Sequence, residues 1–223
     1  MKNFKTFDTN ISPLEELCLK GNLEFEKEYI KKTLSIKYGR EKIDISFSPN
    51  GKVKNFLGLD EVYERFIHLS SMEEDNNEVQ NRANKYDSFP CINDNNTCEL
   101  DCFNNFIIQY KEKDKVRMIC SYRMSKMYWI KHIIEKLNSG ENIKIIQSSN
   151  KKHNGVYSPV VKIYYESSSF KNKFVIILKK RKKGKYFKLF FTTAYPVVLR
   201  SGIKRFNSEY KKNGITLEEL FKE

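Results

Sequence analysis

The residues best suited to chemistry lie late in the chain, in Phe190-Phe191-Thr192-Thr193-Ala194-Tyr195-Pro196. A strand pattern there closes on hydroxyls, a phenol and a proline that stops the ladder. Thr193 and Tyr195 are two apart, so an extended chain turns both to one side. Such a pair can donate hydrogen bonds to a phosphate or an oxyanion. Thr and Tyr are also ordinary strand residues, so plain structure accounts for them too. A second set runs from Cys120 to His132. It holds Arg123 and Lys126, able to share a helix face, then Trp129, the only tryptophan, then Lys131 and His132. A cationic helix face with Trp129 packed on a sheet is the plain alternative. Third, Lys179–Lys185 puts six cations in seven positions, and Lys204-Arg205 and Lys211-Lys212 add more. Cations of this kind neutralise phosphates without reading sequence. Lys126, Lys180, Arg181, Lys183 and Lys185 are the candidate nucleic-acid contacts. Aromatics interleave with them, Tyr186, Phe187, Phe190 and Phe191 included, although strand alternation commits half to a core. A solvated hairpin tip is the bland reading of the same residues.

Charge gives these sets a context. Residues 1–110 carry 14 basic and 19 acidic side chains, whereas residues 111–223 carry 27 and 9. The second half therefore stands at +18 and the first at −5, within a net charge of +13. A polyanion partner for the basic half follows, either nucleic acid or an anionic membrane surface. The membrane reading wants a basic amphipathic helix, whereas the cations here cluster on a strand turn, so no membrane partner is expected. No apolar run approaches the roughly eighteen residues of a membrane span, and the first ten residues lack a signal-peptide core. An intracellular, cytoplasmic location is expected. The five cysteines are odd in number and read as reduced structural thiols. Cys98 and Cys102, with Cys91 upstream and only His68 and His132 as histidine candidates, fall short of a zinc signature. No metal and no cofactor are assigned.

The elements that must position these residues read as α+β. A helix capped by Ser12 is expected to run with Leu14, Leu17, Leu19, Phe25 and Ile30 inward. A hairpin over Lys42–Ser48 and Lys52–Phe56 turns at Pro49-Asn50-Gly51. A second helix spans Leu59 to about His68. Residues 73–104, acidic and Asn-rich, read as a linker between an N-terminal accessory α+β domain (1–72) and a basic domain (105–223). The basic domain starts with a helix over Ser125–Leu137, stopped at Asn138-Ser139-Gly140. A four-stranded antiparallel sheet follows: Ile143–Gln147, Val160–Tyr165, Phe174–Leu178 and Tyr186–Thr193. The third strand, apolar throughout, is expected centrally, and Arg200–Glu223 as one or two surface helices.

The order of Arg123, Trp129, strands, Phe174–Leu178, a short turn and the Phe190–Pro196 ending resembles the small toxin-type ribonucleases of the barnase–EndoU–colicin–RelE group. The ending is also similar to bacterial RNase A-like toxin domains. The resemblance spans about residues 115–200. It implies a metal-independent endoribonuclease, in which the 2′-hydroxyl attacks the adjacent phosphorus to leave a 2′,3′-cyclic phosphate. It implies Thr193 and Tyr195 at the scissile phosphate, Arg123 and Lys162 as its cations, and His132 as base or acid. RNA, transfer RNA among the choices, and an inhibitor or immunity protein are the implied partners. The chain departs from the RNase A-like pattern where Arg123 stands in place of a histidine, which leaves the base open; His153 is a second candidate. The competing reading is a non-catalytic nucleic-acid-binding protein that uses the same lysines and aromatics.

Overall fold

The computed structural model describes residues 14–47, 51–56, 59–73, 107–110, 115–151, 157–166, 173–183, 186–197 and 200–222. The expected linker and domain boundary fall mostly outside these residues, as do His153, Lys185, Cys91, Cys98 and Cys102.

The fold is α+β, built on a mixed sheet of seven strands rather than four. Helix α1 (Leu14–Phe25) runs into a π-helical turn over Glu26–Ile30. Strands β1 (Leu34–Tyr38) and β2 (Glu41–Ser46) form the first hairpin. Its tight turn uses Gly39 at φ +57°, a left-handed conformation that costs glycine nothing. The expected hairpin across Pro49-Asn50-Gly51 does not form. Instead β3 (Lys52–Phe56) pairs with β4 (Leu59–Tyr63), and β2 pairs with β1 and with a strand from the far end of the chain. That choice buries Ile43 and Ile45 against the common core. The expected second helix is shorter, α2 (Glu64–Ser70), because Leu59–Tyr63 is already strand. Strands β5 (Ser71–Glu73), β6 (Ile107–Tyr110) and β7 (Lys115–Ile119) make a small separate sheet.

The helix expected at Ser125–Leu137 is two helices, α3 (Ser121–Ser125) and α4 (Tyr128–Asn138). On α4 the buried Ile130, Ile133, Ile134 and Leu137 recur at helical spacing and lie on the sheet. Strands β8 (Lys144–Lys151), β9 (Tyr157–Glu166), β10 (Lys173–Lys183) and β11 (Tyr186–Pro196) pair antiparallel in succession. Helix α5 (Arg200–Asn213), β12 (Gly214–Ile215) and α6 (Leu217–Phe221) end the described chain. Spatial order is β1-β2-β11-β10-β9-β8-β12, with the apolar β10 in the middle as its composition requires.

The two regions expected as separate domains share this sheet and one main core. Phe25, Ile36, Phe66, Ile130, Ile163, Leu189 and Phe191 belong to a single buried cluster, and β2 runs parallel to β11 through Ile45↔Leu189 and Ser46↔Phe190. Phe47 stacks on Phe191 with ring centroids 4.4 Å apart. Polar contacts reinforce the join: Tyr29 donates to the Met127 carbonyl at 2.6 Å, and buried Glu28 accepts from Lys32 at 2.7 Å and Lys131 at 2.8 Å. The lysine hydrogen bonds hold the Glu28 carboxyl at about 2, well below the usual carboxylate range. The sheet's other face carries a smaller core of Ile146, Tyr164, Val175 and Phe206, where α5 packs.

Candidate functional site

One irregularity organises the site. Along β10 and β11 the register runs Ile176↔Ala194 and Ile177↔Thr193, then jumps to Leu178↔Phe191, so Thr192 is the extra residue of a β-bulge. Its consequence is a change of face. Leu189, Phe191 and Ala194 point into the main core, whereas Tyr195 packs with Val175 and Ile177 on the opposite face. Without the bulge, alternation would send Thr193 and Tyr195 into the main core. With it, both stand on the same side as Phe190.

The bulge lies where β2 has stopped pairing, since β2 meets only Leu189 and Phe190. Helix α2 takes its place beside β11. Arg65 Nη1 donates to the Thr192 carbonyl at 2.5 Å, and its guanidinium sits 5.8 Å from the Phe191 ring centroid. One turn on, His68 Nε2 lies 3.1 Å from Thr193 Oγ1. Helix α3 closes the corner: the Cys120 amide donates to the Ser70 carbonyl, and Arg123 Nη1 donates to the Ser71 carbonyl at 2.8 Å. The Arg123 guanidinium lies 5.9 Å from the Tyr195 ring centroid. Arg65, His68, Arg123, Thr193 and Tyr195 therefore gather at one sheet edge. That is two arginines and one imidazole around a hydroxyl and a phenol, a set able to bind an oxyanion and move a proton. Among the described residues no carboxylate pairs with Arg123.

Three of the five residues expected to do chemistry thus meet: Arg123, Thr193 and Tyr195. Lys162 shares their sheet face, in the row Lys162↔Ile177↔Thr193 across β9, β10 and β11. It is two strand spacings from Thr193, about 10 Å, and is engaged elsewhere, in a 2.5 Å ion pair with Glu209 of α5. His132 does not join the cluster. It lies on the flank of α4 away from the buried stripe, its Nδ1 3.3 Å from Glu135. Sequence reading missed Arg65 and weighed His68 only as a metal ligand. Their i, i+3 spacing among the buried Phe66, Ile67 and Leu69 was the available signal.

The nucleic-acid candidates divide as well. Lys179–Lys183 is strand rather than turn, so its cations alternate between faces. Lys180 is 6 % exposed and caps α6, donating to the carbonyls of Leu220 (2.9 Å) and Lys222 (3.0 Å), with the Phe187 ring 4.2 Å away. Burial lowers its pKa, and its role here is structural. Lys126 is 9 % exposed, packed over the rings of Trp129 (4.1 Å) and Tyr122 (5.2 Å), and burial pushes it down to about 8. Arg181 is exposed on the open face, and Lys183 faces Tyr186 in register. On α5 the exposed Lys204, Arg205, Lys211 and Lys212 add cations to the same side of the sheet.

Among the described residues no group of three or more His, Cys, Asp or Glu side chains is placed to hold a metal ion, and no helix is long and apolar enough to cross a membrane. Comparison with protein-family models, with characterised proteins and with solved structures finds no match.

Proposed function

We propose that the chain binds RNA and cleaves it by transesterification at the β11 edge, with His68 as the base. The observation that carries this reading is the 3.1 Å contact between His68 Nε2 and Thr193 Oγ1, made beside Arg123 and Tyr195. His68 takes the proton of a 2′-hydroxyl, and O2′ bonds to the adjacent phosphorus. The P–O5′ bond breaks as Tyr195 gives its phenolic proton to O5′, leaving a 2′,3′-cyclic phosphate and a 5′-hydroxyl. Arg65 and Arg123 stabilise the charge that builds on the phosphorane, and the Thr193 hydroxyl orients the imidazole. In this reading α4 with β8–β11 is the four-stranded ribonuclease core, and β1, β2 and β12 extend it. Transfer RNA is the first substrate to try, and a protein inhibitor the first partner to seek.

A second reading has its own support. Arg65 and Arg123 both donate to backbone carbonyls, contacts that fasten α2 and α3 to the sheet edge and suit a binding protein without turnover. Incubation with total RNA and transfer RNA in excess EDTA, followed by mapping of the ends, separates the two. Discrete fragments with 2′,3′-cyclic ends, lost in Thr193→Ala, support cleavage; RNA retarded on a gel but intact sinks it.

A further inference from the structure

The open face of the β10–β11 hairpin has an order of its own. Tyr186, Lys188 and Phe190 alternate along β11 on one face, and the first of them is 79 % exposed. Across the ladder they face Lys183, Arg181 and Lys179. The Arg181 guanidinium lies 5.1 Å from the Phe190 ring centroid, so this half-buried ring already has a cation stacked on it. Helix α5 does not take this ground. It lies over β8 and β9, through Phe206 on Tyr164, Asn207 to Lys144 and Glu209 to Lys162, and the core it shares with the hairpin holds Val175, Ile177 and Tyr195, at the end away from Tyr186. Phe187, Leu189 and Phe191, which alternate with these residues, pack on the main core, so the open face keeps its aromatics without a buried role to explain Tyr186.

We propose that this face is a platform for single-stranded RNA, with unpaired bases stacking on Tyr186 and Phe190 and phosphates held by Lys188, Arg181 and Lys179. The inference rests on the reading that the chain binds RNA, and it names the form bound. Residues two apart on a strand are about 7 Å apart, so aromatic, cation and aromatic follow one another at even steps. Flat rings standing on a sheet can take bases only when those bases are unstacked and unpaired; a duplex keeps its base faces covered. The bulge at Thr192 makes Thr193 the next residue on this face beyond Phe190. A strand of RNA lying along β11 therefore leads to His68 and Thr193.

Fluorescence anisotropy with 2′-O-methyl RNA, which has no 2′-hydroxyl to attack, reads binding apart from cleavage. A labelled single strand is compared with the same sequence in a duplex and with anionic phosphatidylserine vesicles. The expected result is single-strand affinity at least tenfold above duplex. Tyr186→Ala, chosen because its exposure spares the fold, is expected to lose about fivefold to a hundredfold. Lys188→Gln is expected to flatten the salt dependence. Equal affinity for duplex, equal affinity for vesicles, or wild-type affinity in both variants overturns the platform. If single strands bind in this way but unmodified RNA stays intact, the cleavage reading fails and the platform stands. If RNA is cut while both variants bind as wild type, the platform fails and cleavage stands.

Discussion

At the scale of single residues, position within the sheet decides which charges can act. His68 and His132 are both helical histidines, yet one meets Thr193 at 3.1 Å and the other meets Glu135. His68→Ala is expected to reduce cleavage about 10²- to 10⁴-fold while RNA affinity changes little, a split that single-turnover kinetics and anisotropy together resolve; His132→Ala is expected to leave the rate within about twofold. Lys126 offers a test of burial. Its pKa of about 8, against an ordinary 10.5, means that the folded state resists the charge. The penalty is complete below pH 8 and fades as pH rises toward 10.5, where the unfolded chain also loses its proton. Lys126→Met should therefore raise stability near pH 7 by about 1–2 kcal/mol, less than the full shift because the Trp129 and Tyr122 rings favour the ammonium. The gain should shrink by pH 10, as denaturant melts at the two pH values would show.

At the scale of elements, the β11 bulge sets the geometry of the site. Deleting Thr192 should restore simple alternation with Phe191 inward and Thr193 outward, so the faces are kept while the carbonyl that anchors Arg65 is lost and the chain around His68 and Thr193 is pulled out of place. Loss of cleavage together with a lower melting temperature is the expected outcome; an active, equally stable deletion mutant would remove the bulge from the account. Much at this scale was legible in the chain. The α4 stripe and the four strands β8–β11 carry their periodicity locally, so their existence could be read without knowing what they touch. The bulge could not be read, because Phe190–Pro196 alternates plausibly in either register. Nor could the parallel pairing of β2 with β11, which leaves no mark in either segment. The run Lys179–Lys183 looked like a turn because its charge masked its alternation, and Lys180 looks like its neighbours until α6 lies over it. His68 and Thr193 are 125 residues apart, so no spacing rule reaches across them.

At the scale of the whole molecule, described residues of the acidic first half and the basic second half share one sheet and one core. A fragment of residues 105–223 would expose Leu189, Phe191 and Ile133, which now share a cluster with Phe25, Ile36 and Phe66. It is expected to be unfolded or aggregated by circular dichroism and gel filtration, and a soluble, cooperatively melting fragment would contradict the shared core. The buried Glu28 pins the two halves together. Its carboxyl, held at about 2 against an ordinary 4.5, contributes stability that is complete above pH 4.5 and lost as pH falls toward 2. Glu28→Gln should thus cost about 2 kcal/mol at pH 7 and little near pH 2, a difference that thermal melts can follow.

The parallel pairing of β2 with β11 also orders events during synthesis. Ile45 leaves the ribosome 144 residues before its partner Leu189, so for most of translation β2 carries an unpaired edge and an uncovered apolar face. Nascent chains stalled short of β11 should therefore stay protease-sensitive and recruit chaperones, and protection should arrive abruptly once β11 emerges.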